Sequence, residues 1–169
     1  MVTIEKLNLR DINKCLKIYN YYIKNTCYTL EEKELSFFNF NKRVKKISKK
    51  YPFLVAKKQN KSSGKSTVIG FAYLNFFNPR SAYRNTANLS IYVDNNFLRE
   101  HTGSLLLNKI EQMCTDYNIT AIVSLIASEN KNSINFHLKN GFIKEGELTN
   151  VAYKFNRSLN LSFYIKHLE

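Results

Sequence analysis

With 169 residues, 44% of them hydrophobic, the chain is long enough to bury one sizeable core. No run of about 18 apolar residues occurs and Met1–Lys6 lacks the apolar centre of a signal peptide, so the sequence reads as a soluble cytoplasmic protein with no membrane partner. Cys15, Cys27 and Cys114 are odd in number, widely separated and without metal-ligand spacing, which leaves reduced, mostly buried thiols and no expected metal site.

The formal net charge of +13 gathers in Lys42-Arg-Val-Lys-Lys-Ile-Ser-Lys-Lys50 and Lys57-Lys-Gln-Asn-Lys-Ser-Ser-Gly-Lys65. Nucleic acid and acidic membrane surfaces are candidate partners for such a balance. Val44, Ile47 and Tyr51, however, recur at intervals of three and four, so the first run reads as an amphipathic helix with a solvated basic face. The whole chain is rich in Asn, Lys, Ile and Tyr, which points to a biased composition more than a dedicated patch. Attraction of a polyanionic cofactor is the second reading. Nucleic acid is the third, with no stacked-aromatic and basic motif behind it.

In chain order, Val2 and Ile4 alternate with polar neighbours in a first strand. Asp11 can cap a helix whose apolar stripe is Ile12, Cys15, Leu16, Tyr19, Tyr22 and Ile23. Asn25 to Glu32 departs from that period, as a loop or short strand. A second helix spans roughly Phe40 to Lys50, and Pro52 to Lys57 is a strand. The polar hairpin Gln59 to Ser66, with a turn at Ser62-Ser-Gly64, leads to the strand Val68 to Phe77.

The next stretch organises the rest. Leu89, Ile91 and Val93 alternate with Ser90 and Tyr92, a strand; from Ser104 the spacing of Leu106, Leu107, Ile110, Met113 and Cys114 turns helical. Asp94 to Gly103 is the polar turn between them. A helix start exposes unpaired N–H groups and the positive end of the dipole, a natural seat for a phosphate. An ordinary β–α connection without a ligand has the same local signature.

Ala121 to Ile126 is an apolar run of the kind buried on both faces. Asn130 to Leu138 is a short helix that Asn140-Gly141 ends. Phe142-Ile143, Tyr153 to Phe155, and the alternating Leu159, Leu161, Phe163 and Ile165 supply the last strands. The expected architecture is α/β, one mixed sheet in a single domain over residues 1–169.

Several short strings then coincide. Asn25-Thr26, Glu31-Glu32, Tyr51-Pro-Phe-Leu-Val-Ala56, Pro79-Arg-Ser-Ala-Tyr-Arg84, Ser90-Ile-Tyr-Val93, Glu129-Asn130, Ser133-Ile134, His137, Gly141-Phe142 and Lys154-Phe155 occur in this order and spacing. Together they resemble the GNAT-superfamily N-acetyltransferases of the phosphinothricin and methionine-sulfoximine subgroup, over essentially the full length. The resemblance implies the GNAT fold, a mostly antiparallel sheet splayed in the middle and flanked by about four helices. It also implies acetyl-CoA-dependent transfer to the primary amine of a small amino-acid-like molecule, and a homodimer.

In similar proteins the strand matching Leu89 to Val93 splays from the one matching Ala121 to Ile126, and the pantetheine arm lies in the gap. The resemblance assigns the cofactor to Ile91, Tyr92, Val93, Leu98, Arg99, Glu100, His101, Thr102, Gly103, Ser104, Asn130 and Ser133, with backbone N–H groups around Tyr92 and Val93 serving the oxyanion. It gives His137 the place of the proton donor to the leaving thiolate. Glu31, Tyr83, Arg84, Lys154 and Phe155 fall on the acceptor side, Arg84 as a forked grip on a carboxylate.

Two departures bear on activity. Where the subgroup has a glycine in the pyrophosphate loop, this chain has His101, at a cost on the order of 1–2 kcal/mol if φ is positive. Where the subgroup has a Glu-His pair with Glu as the presumed base, this chain has Asn88 and Leu89, and an amide cannot usefully accept a proton near neutral pH. The alternative expectation is therefore an acetyltransferase-fold protein with a degenerate site, CoA-binding or regulatory, with little transfer.

Overall fold

The computed structural model describes residues 2–60 and 64–168, so Ser62 and Ser63 of the expected hairpin turn lie outside the described residues. Seven strands run in the order β1-β2-β3-β4-β5-β7-β6. They are β1 (Val2–Lys6), β2 (Phe53–Gln59), β3 (Ser66–Phe76), β4 (Thr86–Val93), β5 (Ala121–Ala127), β6 (Ile143–Lys154) and β7 (Arg157–His167). Four helices accompany them: α1 (Ile12–Asn25), α2 (Phe37–Ser48), α3 (Thr102–Cys114) and α4 (Lys131–Lys139). The mixed α/β architecture is the expected one. The chain gathers into two compact units, Met1–Asn20 with Leu35–Asn75 and Ser90–Tyr117, and Tyr21–Glu34 with Phe76–Leu89 and Asn118–Glu169.

In the first unit, β2 pairs antiparallel with β1 from Val2↔Lys58 to Lys6↔Leu54, and with β3 across a bulge at Ala56/Lys57. α3 packs on β1 and β2, turning Leu106, Leu107, Ile110 and Cys114 inward. α2 starts three residues earlier than its periodicity suggests, because Ser36 accepts the Asn39 N–H as its cap; Phe40, Val44 and Ile47 are its buried stripe. α1 also starts differently. A 3-10 turn precedes it, Asn8 accepts from Arg10 N–H, and Asp11 instead accepts from the Asn8 N–H. Asp11 and Glu5 hold the Lys57 ammonium at 3.1 and 3.0 Å. The centre of the unit is aromatic: Tyr92 stands edge-on to Tyr19 at 5.0 Å and stacks on Phe71 at 5.2 Å, and Phe71 stacks on Phe53.

In the second unit, β4 pairs parallel with β5 from Thr86↔Ala121 to Asn88↔Val123, and β5 pairs antiparallel with β7 along its whole length. β6 and β7 form one long antiparallel hairpin with two irregularities in register. The sequence suggests only short pieces of β6, because it is an edge strand exposed along most of its length and shows no alternation. Its two-residue turn, Phe155-Asn156, has φ of 52° and 58°, the primed geometry that suits the twist of a hairpin. α4 stops at Gly141, φ 83°, as expected.

Candidate functional site

In the first unit, the chain leaves β4 through a tied-down turn. Asp94 donates its N–H to Ile69 O at 2.8 Å, accepts the Asn96 N–H, and meets Lys14 Nζ at 2.6 Å. Burial opposes ionisation of Asp94, but the Lys14 ammonium and the Asn96 N–H outweigh it and hold the carboxyl below its usual value. Glu100 is fastened to Lys58 Nζ at 2.6 Å, and that ammonium lies 5.0 Å from the Phe97 ring centroid. Between these ties Leu98 is extended, Arg99 has φ 63° and His101 has φ 58°.

The positive φ on which the cost at His101 depends is present, and Arg99 shares it. The loop turns sharply into α3, whose first turn Thr102, Gly103 and Ser104 receives no side-chain cap from His101. Thr102 is almost wholly buried and its hydroxyl has no hydrogen-bond partner. Arg99 and His101 are exposed. The arrangement is a helix N-terminus whose amides and dipole favour an anion, with the cationic residue Arg99 three positions before it.

Gly70 sits against this turn because there is no room for more: a Cβ there would stand 3.0 Å from Tyr92 O and 3.3 Å from Thr102 Cγ2. Ile91, Tyr92 and Val93 are half-buried in β4, and Tyr92 commits its ring to the aromatic cluster.

In the second unit, Asn88 carries a buried Oδ1 without a hydrogen-bond partner, at the last registered pair of β4 with β5. Asn130 caps α4, its Oδ1 accepting the Ser133 N–H at 3.1 Å. His137 is buried and packs edge-on against Phe142 at 4.8 Å. Its Nδ1 lies 2.8 Å from Ser133 O and 3.3 Å from Ser133 Oγ. A carbonyl only accepts, so Nδ1 carries the hydrogen and Nε2 of the neutral ring is an acceptor. Burial pushes the imidazole below its usual value, against the raising effect of the Ser133 bond. Proton donation from Nε2 therefore requires the imidazolium, the form burial disfavours.

Of the residues expected to meet an acceptor, Tyr83 is exposed and meets Phe77 edge-on at 5.5 Å, and Arg84 is exposed with Nη1 donating to Ser81 O at 3.4 Å. Lys154 is 2% exposed and donates to Thr29 O at 2.9 Å, tying the end of β6 to the loop that carries half-buried Glu31. Burial lowers the Lys154 ammonium against the pull of Cys27, Glu31 and Glu32. Phe155, half exposed, turns the hairpin beside it.

The sequence does not single out the adjoining group. Arg157 forms a fork on Glu129, Nη1 to Oε2 at 2.6 Å and Nη2 to Oε1 at 2.8 Å, and Nη2 also reaches Cys27 Sγ at 3.4 Å. The Arg157 bonds hold the Glu129 carboxyl low, while burial and Glu129 push the Cys27 thiol up. These residues, with Asn25, Thr26, Tyr28 and Phe155, line a cleft of about 190 Å³. The available signal was the coincidence of Asn25-Thr26 and Glu129 among the shared strings; Arg157 had none.

Comparison with known proteins addresses the same elements. The L-methionine sulfoximine/L-methionine sulfone acetyltransferase of Pseudomonas aeruginosa is 28% identical over 99% of this chain and 95% of its own length. The phosphinothricin N-acetyltransferase of Alcaligenes faecalis is 26% identical over 92% and 77%. Among solved structures, an N-acetyltransferase from Staphylococcus aureus superposes with TM-score 0.93 at 30% identity, covering 100% of this chain and 99% of that one. The phosphinothricin acetyltransferase of Sinorhizobium meliloti, in complex with AcCoA, gives 0.90 at 27%, covering 99% and 88%. The model of the acetyltransferase (GNAT) domain matches residues 4–161, and with the sheet order and the β4-turn-α3 unit above, the chain belongs to the GNAT acetyltransferase family.

Proposed function

We propose that this protein transfers an acetyl group from acetyl-CoA to the primary amine of a small amino-acid-like compound, with the start of α3 holding the pyrophosphate. The observation that carries the reading is the uncapped first turn of α3, reached through two residues at positive φ, Arg99 and His101. The residues fit the group: the buried Thr102 hydroxyl lacks a partner, the amides lack a cap, and Arg99 adds charge. The relatives named for methionine sulfoximine, methionine sulfone and phosphinothricin support the acceptor class.

Acetyl-CoA supplies an activated acetyl thioester. A neutral amine attacks its carbonyl carbon, the new C–N bond forms as the C–S bond breaks, the sulfur departs as a thiolate that takes up a proton from water, and the amine proton leaves for water. This chain offers no carboxylate at position 88, so Asn88 Oδ1 orients the amine by accepting one N–H and does not remove the proton. The acceptor must then reach the neutral form by itself. A peptide α-amino group of pKa about 8 is roughly a quarter neutral near pH 7.5, against about 0.1% for a lysine side chain, and a free amino acid lies between those limits. Weakly basic amines are the preferred acceptors.

The Asn88 amide also supports a second reading, a CoA-binding protein with little transfer. Acetyl-CoA calorimetry with thiol release over an amine panel separates the two: binding with release supports transfer, binding without release the second. Asn88→Glu restores a base and is expected to raise kcat/KM by about 10²-fold or more. Equal turnover of a peptide α-amine and a lysine side chain contradicts the account of proton removal.

A further inference from the structure

The cleft beside Arg157 is built from three separate stretches: Asn25–Tyr28 after α1, Glu129 ahead of α4, and Phe155 with Arg157 at the β6–β7 turn. None of the residues assigned to the cofactor lines it. Its volume of about 190 Å³ corresponds to roughly six waters, or a short side chain. Phe155 takes its φ of 52° from the two-residue hairpin turn that sets it on the wall of the cleft. Lys154 Nζ, buried and bonded to Thr29 O, keeps the Asn25–Tyr28 wall near that turn.

The wall chemistry selects an occupant. Arg157 has five N–H donors, and the bonds to Glu129 and Cys27 occupy three, leaving two. Its charge is matched by the forked carboxylate, so a second carboxylate would have to compete with Glu129, and an ammonium would face the guanidinium. A neutral oxygen meets neither penalty and accepts the remaining donors. Tyr28 and Phe155 give the apolar walls that a short aliphatic stem requires.

We propose that this cleft seats the side chain of the acceptor, a compact amino acid ending in a neutral hydrogen-bond-accepting oxygen such as a sulfone or carboxamide, with the Arg157–Glu129 fork as its specificity element. The proposal rests on the amino-acid acetyltransferase reading. It makes Arg157 and Glu129 determinants of acceptor choice and leaves the cofactor to other residues.

Cys27 reports occupancy without turnover. Cys27 is buried like Cys15 and Cys114 and its thiol is also pushed up, but of the three it alone lines the cleft; Cys15 and Cys114, with thiols pushed up to about 12, serve as internal references. Iodoacetamide labelling of each cysteine is followed by peptide mass spectrometry with L-methionine sulfone, L-glutamate or L-lysine present. At ten times its dissociation constant, the sulfone is expected to slow Cys27 labelling about tenfold, with the two charged amino acids having little effect and the reference cysteines unchanged. Arg157→Lys, which keeps the charge and loses the fork, is expected to raise the sulfone KM about tenfold while acetyl-CoA affinity stays within about twofold.

Protection without turnover upholds the cleft and removes the transferase reading. Turnover without protection, or equal protection by glutamate, overturns the cleft and leaves transfer intact. Neither protection nor turnover overturns both. The wild-type labelling decides the matter even if Arg157→Lys fails to fold.

Discussion

Replacing His101 with glycine tests the loop on which cofactor binding is proposed to depend. His101 stands at φ 58°, ψ 6° ahead of α3, with its side chain exposed and making no cap bond. An L-residue in this region costs roughly 1–2 kcal/mol, with histidine among the more tolerant. Glycine removes that cost but returns about 0.4–1 kcal/mol through the larger freedom of the unfolded chain. The net is a gain of about 0.5–1 kcal/mol, which for a chain of this size raises Tm by roughly 1–4 °C. Glycine also lets the loop backbone approach an anion more closely, so acetyl-CoA is expected to bind more tightly. Scanning calorimetry with and without acetyl-CoA measures both effects. A lower Tm in His101→Gly refutes the strain argument, and so does an equal gain in His101→Ala, because alanine keeps the Cβ that causes the strain.

Gly70→Ala drives a Cβ against Tyr92 O at 3.0 Å, a backbone atom that cannot swing aside, and is expected to lose about 1–3 kcal/mol by denaturant midpoint. Phe142→Ala removes a fully buried ring, opens a cavity beside His137 and is expected to cost about 3–5 kcal/mol. The His137 imidazole is held below its ordinary 6.5, so as pH falls from there the unfolded chain takes up a proton that the folded chain refuses, and stability declines. His137→Gln is expected to flatten that part of the urea-midpoint profile. The decline at lower pH belongs to the carboxyls held low in the fold, Glu5, Asp94, Glu129 and Glu147; it persists in the variant.

Much of the fold was legible because its signals are local. The stripe Leu106, Leu107, Ile110, Cys114 turns α3 inward whatever else surrounds it, the apolar run Ala121–Ile126 falls within a buried strand, and Gly141 takes the positive φ that ends α4. The left-handed strain at His101 was equally local, a residue in a loop pattern that elsewhere has glycine. Where exposure removes alternation, as along β6, periodicity falls silent and a twelve-residue strand reads as fragments.

The sequence by itself therefore determined the element types, the order of the β4-turn-α3 unit and, through shared strings, the family. Tertiary structure alone decided the junction around Arg157. Its guanidinium meets Glu129 from 28 residues away and Cys27 from 130, and Lys154 reaches Thr29 across 125. Spacing along a chain encodes which face of an element is buried, but register and chain crossings choose which distant charge stands opposite. His137 shows the same division. Its place on the helix was readable, while the Ser133 carbonyl and Phe142 ring that fix its tautomer and deny it solvent depend on the packed helix.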